Sequence, residues 1–187
     1  MRPVVVTAIL LLVVLMSMSA SAAWTPEKMC KTKYKTPCNK DIAGDNWFQM
    51  DNRCVKAFHH TAFLSFDDAE EACNQHTSGI YVGHLVSIHS LDELCQVECA
   101  MYNEQIGKAH YWIGLKRTKP MKDDDDADSN LAWTDATKSH YFRWAGGQPD
   151  NLGGEENCIE MNYGEWGLWN DEDCLQRKAY VCAVRVG

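Results

Sequence analysis

No stretch of this 187-residue chain is apolar for long enough to cross a bilayer. The longest, residues 4–16, runs for about 13 residues, whereas a hydrocarbon core of ~30 Å needs roughly 20. Basic residues are scarce as well: 18 Lys and Arg stand against 26 Asp and Glu, a formal net charge of -8. Nucleic acid and anionic membrane both require clustered cations, so neither is expected as a partner. The seven histidines (His59, His60, His76, His84, His89, His110 and His140) are scattered. There is no HExxH pair, nucleophile elbow or phosphate loop, so nothing points to an enzyme. An Asn-x-Ser/Thr sequon is also absent, and no N-linked glycan is expected.

What is present begins with a leader. Arg2 precedes the apolar run, and small residues follow through Ala20, Ser21 and Ala22, the form of a secretory signal over residues 1–22. Cleavage is expected after Ala22, with Ala23 as the second choice. The product would be a secreted, extracellular chain of 165 residues with net charge -9, enough for one domain with a sizeable core.

Nine cysteines follow the leader: Cys30, Cys38, Cys54, Cys73, Cys95, Cys99, Cys158, Cys174 and Cys182. In an oxidising compartment they read as a disulfide framework, and the odd count leaves at least one free or bonded to another chain.

Residues 23–37 are short, basic and poorly patterned, an N-terminal extension carrying Cys30. Strand-like text starts at Trp47, with a turn at Asp51 and Asn52. Ser65 caps an amphipathic helix that places Phe66, Ala69 and Cys73 on one face. Residues 79–88 read as a short strand. Ser90 and Glu93 form a capping box ahead of a second helix ending near Gly107. Residues 111–115 and 179–186 read as buried strands. Between them lies an acidic run, Asp123, Asp124, Asp125, Asp126 and Asp128, which reads as a solvated loop with a weak cation site as the alternative. Two helices, short strands and a long loop region without repeats indicate one α+β domain.

Residues 144–174 hold the candidate chemistry. Gln148, Asp150, Glu156, Asn170 and Asp171 are all acids or amides, the hard oxygen donors that Ca²⁺ prefers. Pro149 stiffens the first pair, and Cys158 and Cys174 bracket the second.

Several of these segments occur together in one known order: Trp47 ahead of Cys54, SFDDAEEAC (65–73), LVSIHS (85–90), WIGL (112–115), QPD (148–150), ENC (156–158), WND (169–171) and Cys182. On these motifs, residues 38–187 resemble a C-type lectin-like domain, most closely the small secreted galactose-type lectins. The resemblance implies a disulfide-stabilised α+β fold of two helices, short antiparallel strands and a long loop region. It pairs Cys73 with Cys182, Cys158 with Cys174, and Cys38 with Cys54, Cys30 being the alternative to Cys38. Cys95 and Cys99 depart from the family pattern. A bond back to Cys30 and an interchain bond through Cys30, Cys95 or Cys99, giving a covalent dimer, both stay open.

The resemblance further implies one principal calcium held by Gln148, Asp150, Glu156, Asn170 and Asp171, with the Pro149 peptide cis. The same five residues would bind sugar hydroxyls. Amide before acid, as in Gln148 and Asp150, is the family's galactose and N-acetylgalactosamine order. The expected partners are therefore galactose-type glycans on cell surfaces or glycoproteins. Many galactose-type members stack an aromatic on the sugar just after this triplet. Leu152 stands there, which leaves Trp166 as the substitute, and a partly buried core position as the plainer reading of Trp166. The family's auxiliary calcium site would fall on Arg117, Met121, Asn151 and Asn157, which carry no acid. The competing expectation is a lectin-like module that recognises a protein, ice or mineral surface instead of sugar.

Overall fold

Three helices, rather than two, form among the described residues. The computed structural model describes residues 26–187 apart from 35, 39, 40, 43, 60–62, 105–107, 122–125, 127 and 139. The expected leader and Asp123, Asp124 and Asp125 lie outside the described residues. The additional helix, α1 (Pro26–Thr32), falls in the extension. Seven residues are too few to show a periodicity, but the ingredients are there: proline in the first turn, Glu27 paired with Lys31, and Met29 and Cys30 buried on one side. The Cys30–Cys99 disulfide, with Cα atoms 5.2 Å apart, holds α1 against the rest of the molecule, and the Tyr34 hydroxyl bonds Asp92 beside it.

The hairpin expected at Asp51 and Asn52 joins β1 (Phe48–Met50) to β2 (Arg53–Phe58), with Asp51 left-handed at φ +49°. Next comes α2 (Phe66–Asn74), where the Ser65 side chain accepts from the Asp68 N–H at 3.3 Å and Phe66, Ala69 and Cys73 are buried. The strand expected over residues 79–88 is broken into pieces. A small hairpin, β3 (Thr77–Ser78) with β4 (Tyr81–Val82), is followed by β5 (His84–Leu85). Gly83 explains the break, since a Cβ there would meet the Cys73 carbonyl oxygen at 2.6 Å.

Helix α3 (Leu91–Glu104) begins with a shifted capping box. Ser90 Oγ accepts from the Glu93 N–H at 3.2 Å, and Glu93 returns a carboxylate to the His89 N–H at 2.7 Å.

The remaining strands are β6 (Tyr111–Arg117), β7 (Leu131–Trp133), β8 (Glu156–Met161), β9 (Trp169–Asp173) and β10 (Ala179–Arg185). The main sheet runs β1-β2-β10-β6-β8-β9, with β5 also on β10 and β7 also on β6. One pair departs from the antiparallel expectation: β10 lies parallel to β6, pairing Ala179 with Tyr111 and Tyr180 with Trp112. A parallel neighbour needs a long crossover, and residues 118–178 provide it.

Alternation along the strands divides the interior. Tyr111, Ile113, Leu115, Val181 and Ala183 pack with Leu94, Val97 and Met101 of α3. Trp112, Tyr180, Cys182 and Val184 pack with Phe66 and Cys73 of α2. The two helices thus cover opposite faces of one sheet. Cys73–Cys182 bonds α2 to β10, and Cys38–Cys54 and Cys158–Cys174 complete the framework as the resemblance implies. Cys30 and Cys99, expected as candidates for an interchain bond, are joined within the chain. Cys95 is free but buried beside them, against Met29.

Candidate metal centre

The described residues between β7 and β8 carry little regular structure, and Trp169 of β9 anchors that loop near its middle. Its N–H donates to the Arg143 carbonyl at 2.8 Å, its own carbonyl accepts from Ala145 at 2.9 Å, and its ring meets Trp144 edge-on at 6.0 Å. The Gln148–Pro149 peptide is cis, as expected. A turn over Leu152–Gly154, with Asn151, Gly153 and Gly154 at positive φ, brings the chain back into β8. A register shift between Glu156 and Cys158 sets Glu156 opposite Asp173, and Cys158–Cys174 ties the two strands together, Cα atoms 5.1 Å apart.

This path gathers three of the five expected ligands. Asp150, Glu156 and Asp171 each offer a carboxylate oxygen within 4.8 Å of the others; Glu156 and Asp171 are buried and Asp150 is exposed. Backbone N–H groups hold two of them. Asp150 and Asn151 donate to the two oxygens of Asp171 at 3.0 and 3.1 Å, and Leu152 donates to Glu156 at 2.7 Å. Gln148 sits at the exposed end, its side-chain oxygen accepting from the Asp150 N–H at 3.1 Å. Asn170 precedes Asp171 on β9, and its amide nitrogen donates to Glu160 at 3.0 Å.

The crowding has an electrostatic signature. Burial pushes the Glu156 carboxyl up to about 7, and the neighbouring Asp171 and Asp150 charges push the same way. One of the three carboxylates, Asp171, faces a buried cation: Arg117 Nη2 lies 3.6 Å from its Oδ2. With Glu156 ionised, three negative charges against one positive leave an excess of two, and a hard divalent cation matches both that charge and the oxygen donors.

Three participants were not singled out as parts of this centre. Arg117 stands where an acid of the auxiliary site would fall, and it serves the principal cluster instead. Asn151 accepts the Glu156 N–H at 3.2 Å, closing the loop. Glu160 is a charge inside an apolar strand, fully buried, and bonded to Asn170, Lys178 and His110. Its place opposite Asn170 emerges only from the β8–β9 register. Trp166 is half-buried against the core, with its ring 6.3 Å from Tyr102 of α3. Of the acidic run, Asp128 accepts from Trp144 Nε1 at 2.6 Å, so it supports the loop.

A Lectin C-type domain model matches residues 63–184. The chain belongs to the C-type lectin family. Among relatives of this lectin, the C-type isolectin Sp-CL4 of Scorpaena plumieri is 34% identical over 146 residues, 76% of this chain and 89% of that protein. A C-type lectin galactose-binding isoform of Pseudechis porphyriacus is 29% identical over 148 residues, 79% of this chain and 86% of its own. Among solved structures, the C-type lectin CEL-I of Cucumaria echinata aligns with TM-score 0.64 and 26% identity over 78% of this chain and 99% of its own. Herring type II antifreeze protein aligns with TM-score 0.58 and 27% identity over 76% and 98%. Relatives named as lectins accord with the absence of any enzymatic motif.

Proposed function

We propose that this chain is a secreted, calcium-dependent carbohydrate-binding lectin that prefers galactose and N-acetylgalactosamine. The observation that carries the reading is the cluster of Asp150, Glu156 and Asp171 within 4.8 Å, flanked by Gln148 and Asn170. The bound cation supplies an exposed coordination point for two adjacent sugar hydroxyls. The side chains do the rest. The Gln148 oxygen accepts from the Asp150 N–H and keeps a lone pair for the cation, its amide NH₂ is left to donate to a sugar hydroxyl, and Asp150 and Glu156 accept from hydroxyl protons. The Gln-before-Asp order supports galactose, and so does the galactose-binding isoform among the relatives. The leader-like residues 1–22 and four disulfides support secretion.

In calcium the protein is expected to be retained on galactose-agarose and released by a chelator. Glu156→Gln or Asp171→Asn is expected to abolish retention. Trp166→Ala tests sugar stacking separately: unchanged retention would leave Trp166 to the core alone.

A second reading is a non-sugar module for a protein, ice or mineral surface. It draws on Leu152, which is 74% exposed beside the cluster, and on the likeness to the herring antifreeze protein.

A further inference from the structure

We propose that Glu160 is the positioning residue that decides which end of the Asn170 carboxamide faces the metal centre. Glu160 and Asn170 are direct partners across β8 and β9, at 1% and 5% exposure, so neither exchanges its partner for water. A carboxylate can only accept, and Glu160 Oε1 lies 3.0 Å from Asn170 Nδ2. One N–H of Asn170 is thereby committed inward, which fixes the orientation of the amide and leaves its oxygen on the opposite side to serve a cation. The other oxygen, Oε2, is held at 2.8 Å by both Lys178 Nζ and His110 Nδ1, so the carboxylate cannot rotate away. An amide rotates end for end with little change of shape; only its partners distinguish the two orientations. The inference rests on Asn170 as a metal ligand.

The chemistry makes Glu160→Gln a sharp test. The glutamine keeps one oxygen, which the half-buried ammonium of Lys178 claims. Its NH₂ then faces Asn170, which must turn its own oxygen inward and present an NH₂ to the metal. Adding Lys178→Met removes the competitor: the glutamine oxygen can turn back to Asn170, leaving its NH₂ on the side of the His110 ring.

Calcium binding to the four proteins is measured by titration calorimetry, with metal-free unfolding midpoints taken alongside. Glu160→Gln is expected to weaken calcium by about tenfold to a hundredfold, as loss of a ligand's outer partner does. Lys178→Met alone is expected to keep wild-type affinity, and the double variant to recover most of the loss. A calcium-binding wild type with an equally tight Glu160→Gln overturns the inference alone. So does a double variant weaker than Glu160→Gln, or Lys178→Met as weak as Glu160→Gln, since either means the ion pair merely stabilises the fold. A wild type that takes up no calcium overturns the reading of the site and this inference with it.

Discussion

Glu98 and Glu160 are both sealed from solvent, at 1% exposure, and are accommodated in opposite ways. At Glu160 burial raises the carboxyl, but hydrogen bonds and charge from His110 and Lys178 outweigh it and hold the group below its ordinary range. At Glu98 neither oxygen has a hydrogen-bond partner. Burial pushes that group up to about 7, with Arg143 the only opposing charge resolved. Its side chain fills the space at Gly167, where a Cβ would come within 2.3 Å of Oε1. The sign of the consequence follows from proton uptake. Between about pH 4.5 and 7 the folded chain holds a proton at Glu98 that the unfolded chain has lost, so stability falls as pH rises through that window. The shift corresponds to roughly 3 kcal/mol. Glu98→Gln is expected to flatten the fall and to raise stability at alkaline pH by about 1–3 kcal/mol, read by urea denaturation at several pH values. An unchanged pH profile would show that Glu98 is not the group responsible.

At the scale of elements, what was legible in the sequence were the pieces that carry their own local signal. Ser65 and Ser90 announced α2 and α3 because a cap is chemistry within a few residues. The buried strand at WIGL was legible from its apolar run, and QPD, ENC and WND from the resemblance. Helix α1 was not, because what holds it is a disulfide and a docking face on α3, both distant in sequence. The parallel β6–β10 pair was hidden for the same reason: direction depends on how residues 118–178 cross back. Arg117 and Glu160 were illegible as parts of the site because each acts through a contact across the sheet or loop. Removing the clamp on α1 tests this view of the extension. The Cys30–Cys99 bond spans 69 residues, and the chain-entropy model gives about 4 kcal/mol for it. Cys30→Ser with Cys99→Ser is expected to lose a substantial part of that in chemical denaturation while leaving calcium affinity unchanged, because α1 packs on α3 and away from β8 and β9. Loss of calcium binding would tie the extension to the site.

For the whole molecule, two helices on opposite faces of one sheet leave the long loop at its margin, framed by Cys158–Cys174 and held by backbone N–H groups that donate to Asp171 and Glu156. The described residues include no helix long and apolar enough to cross a membrane. Cys95, pushed up to about 11 mainly by burial, is poorly suited to an interchain bond. The acidic cluster is proposed to bind a cation and, through it, galactose. A broad glycan array with and without chelator tests this claim most directly. Chelator-sensitive binding concentrated on terminal galactose and N-acetylgalactosamine is expected. A protein shown to be calcium-loaded by its thermal shift, yet silent on every glycan, would contradict the claim and favour the surface-binding reading.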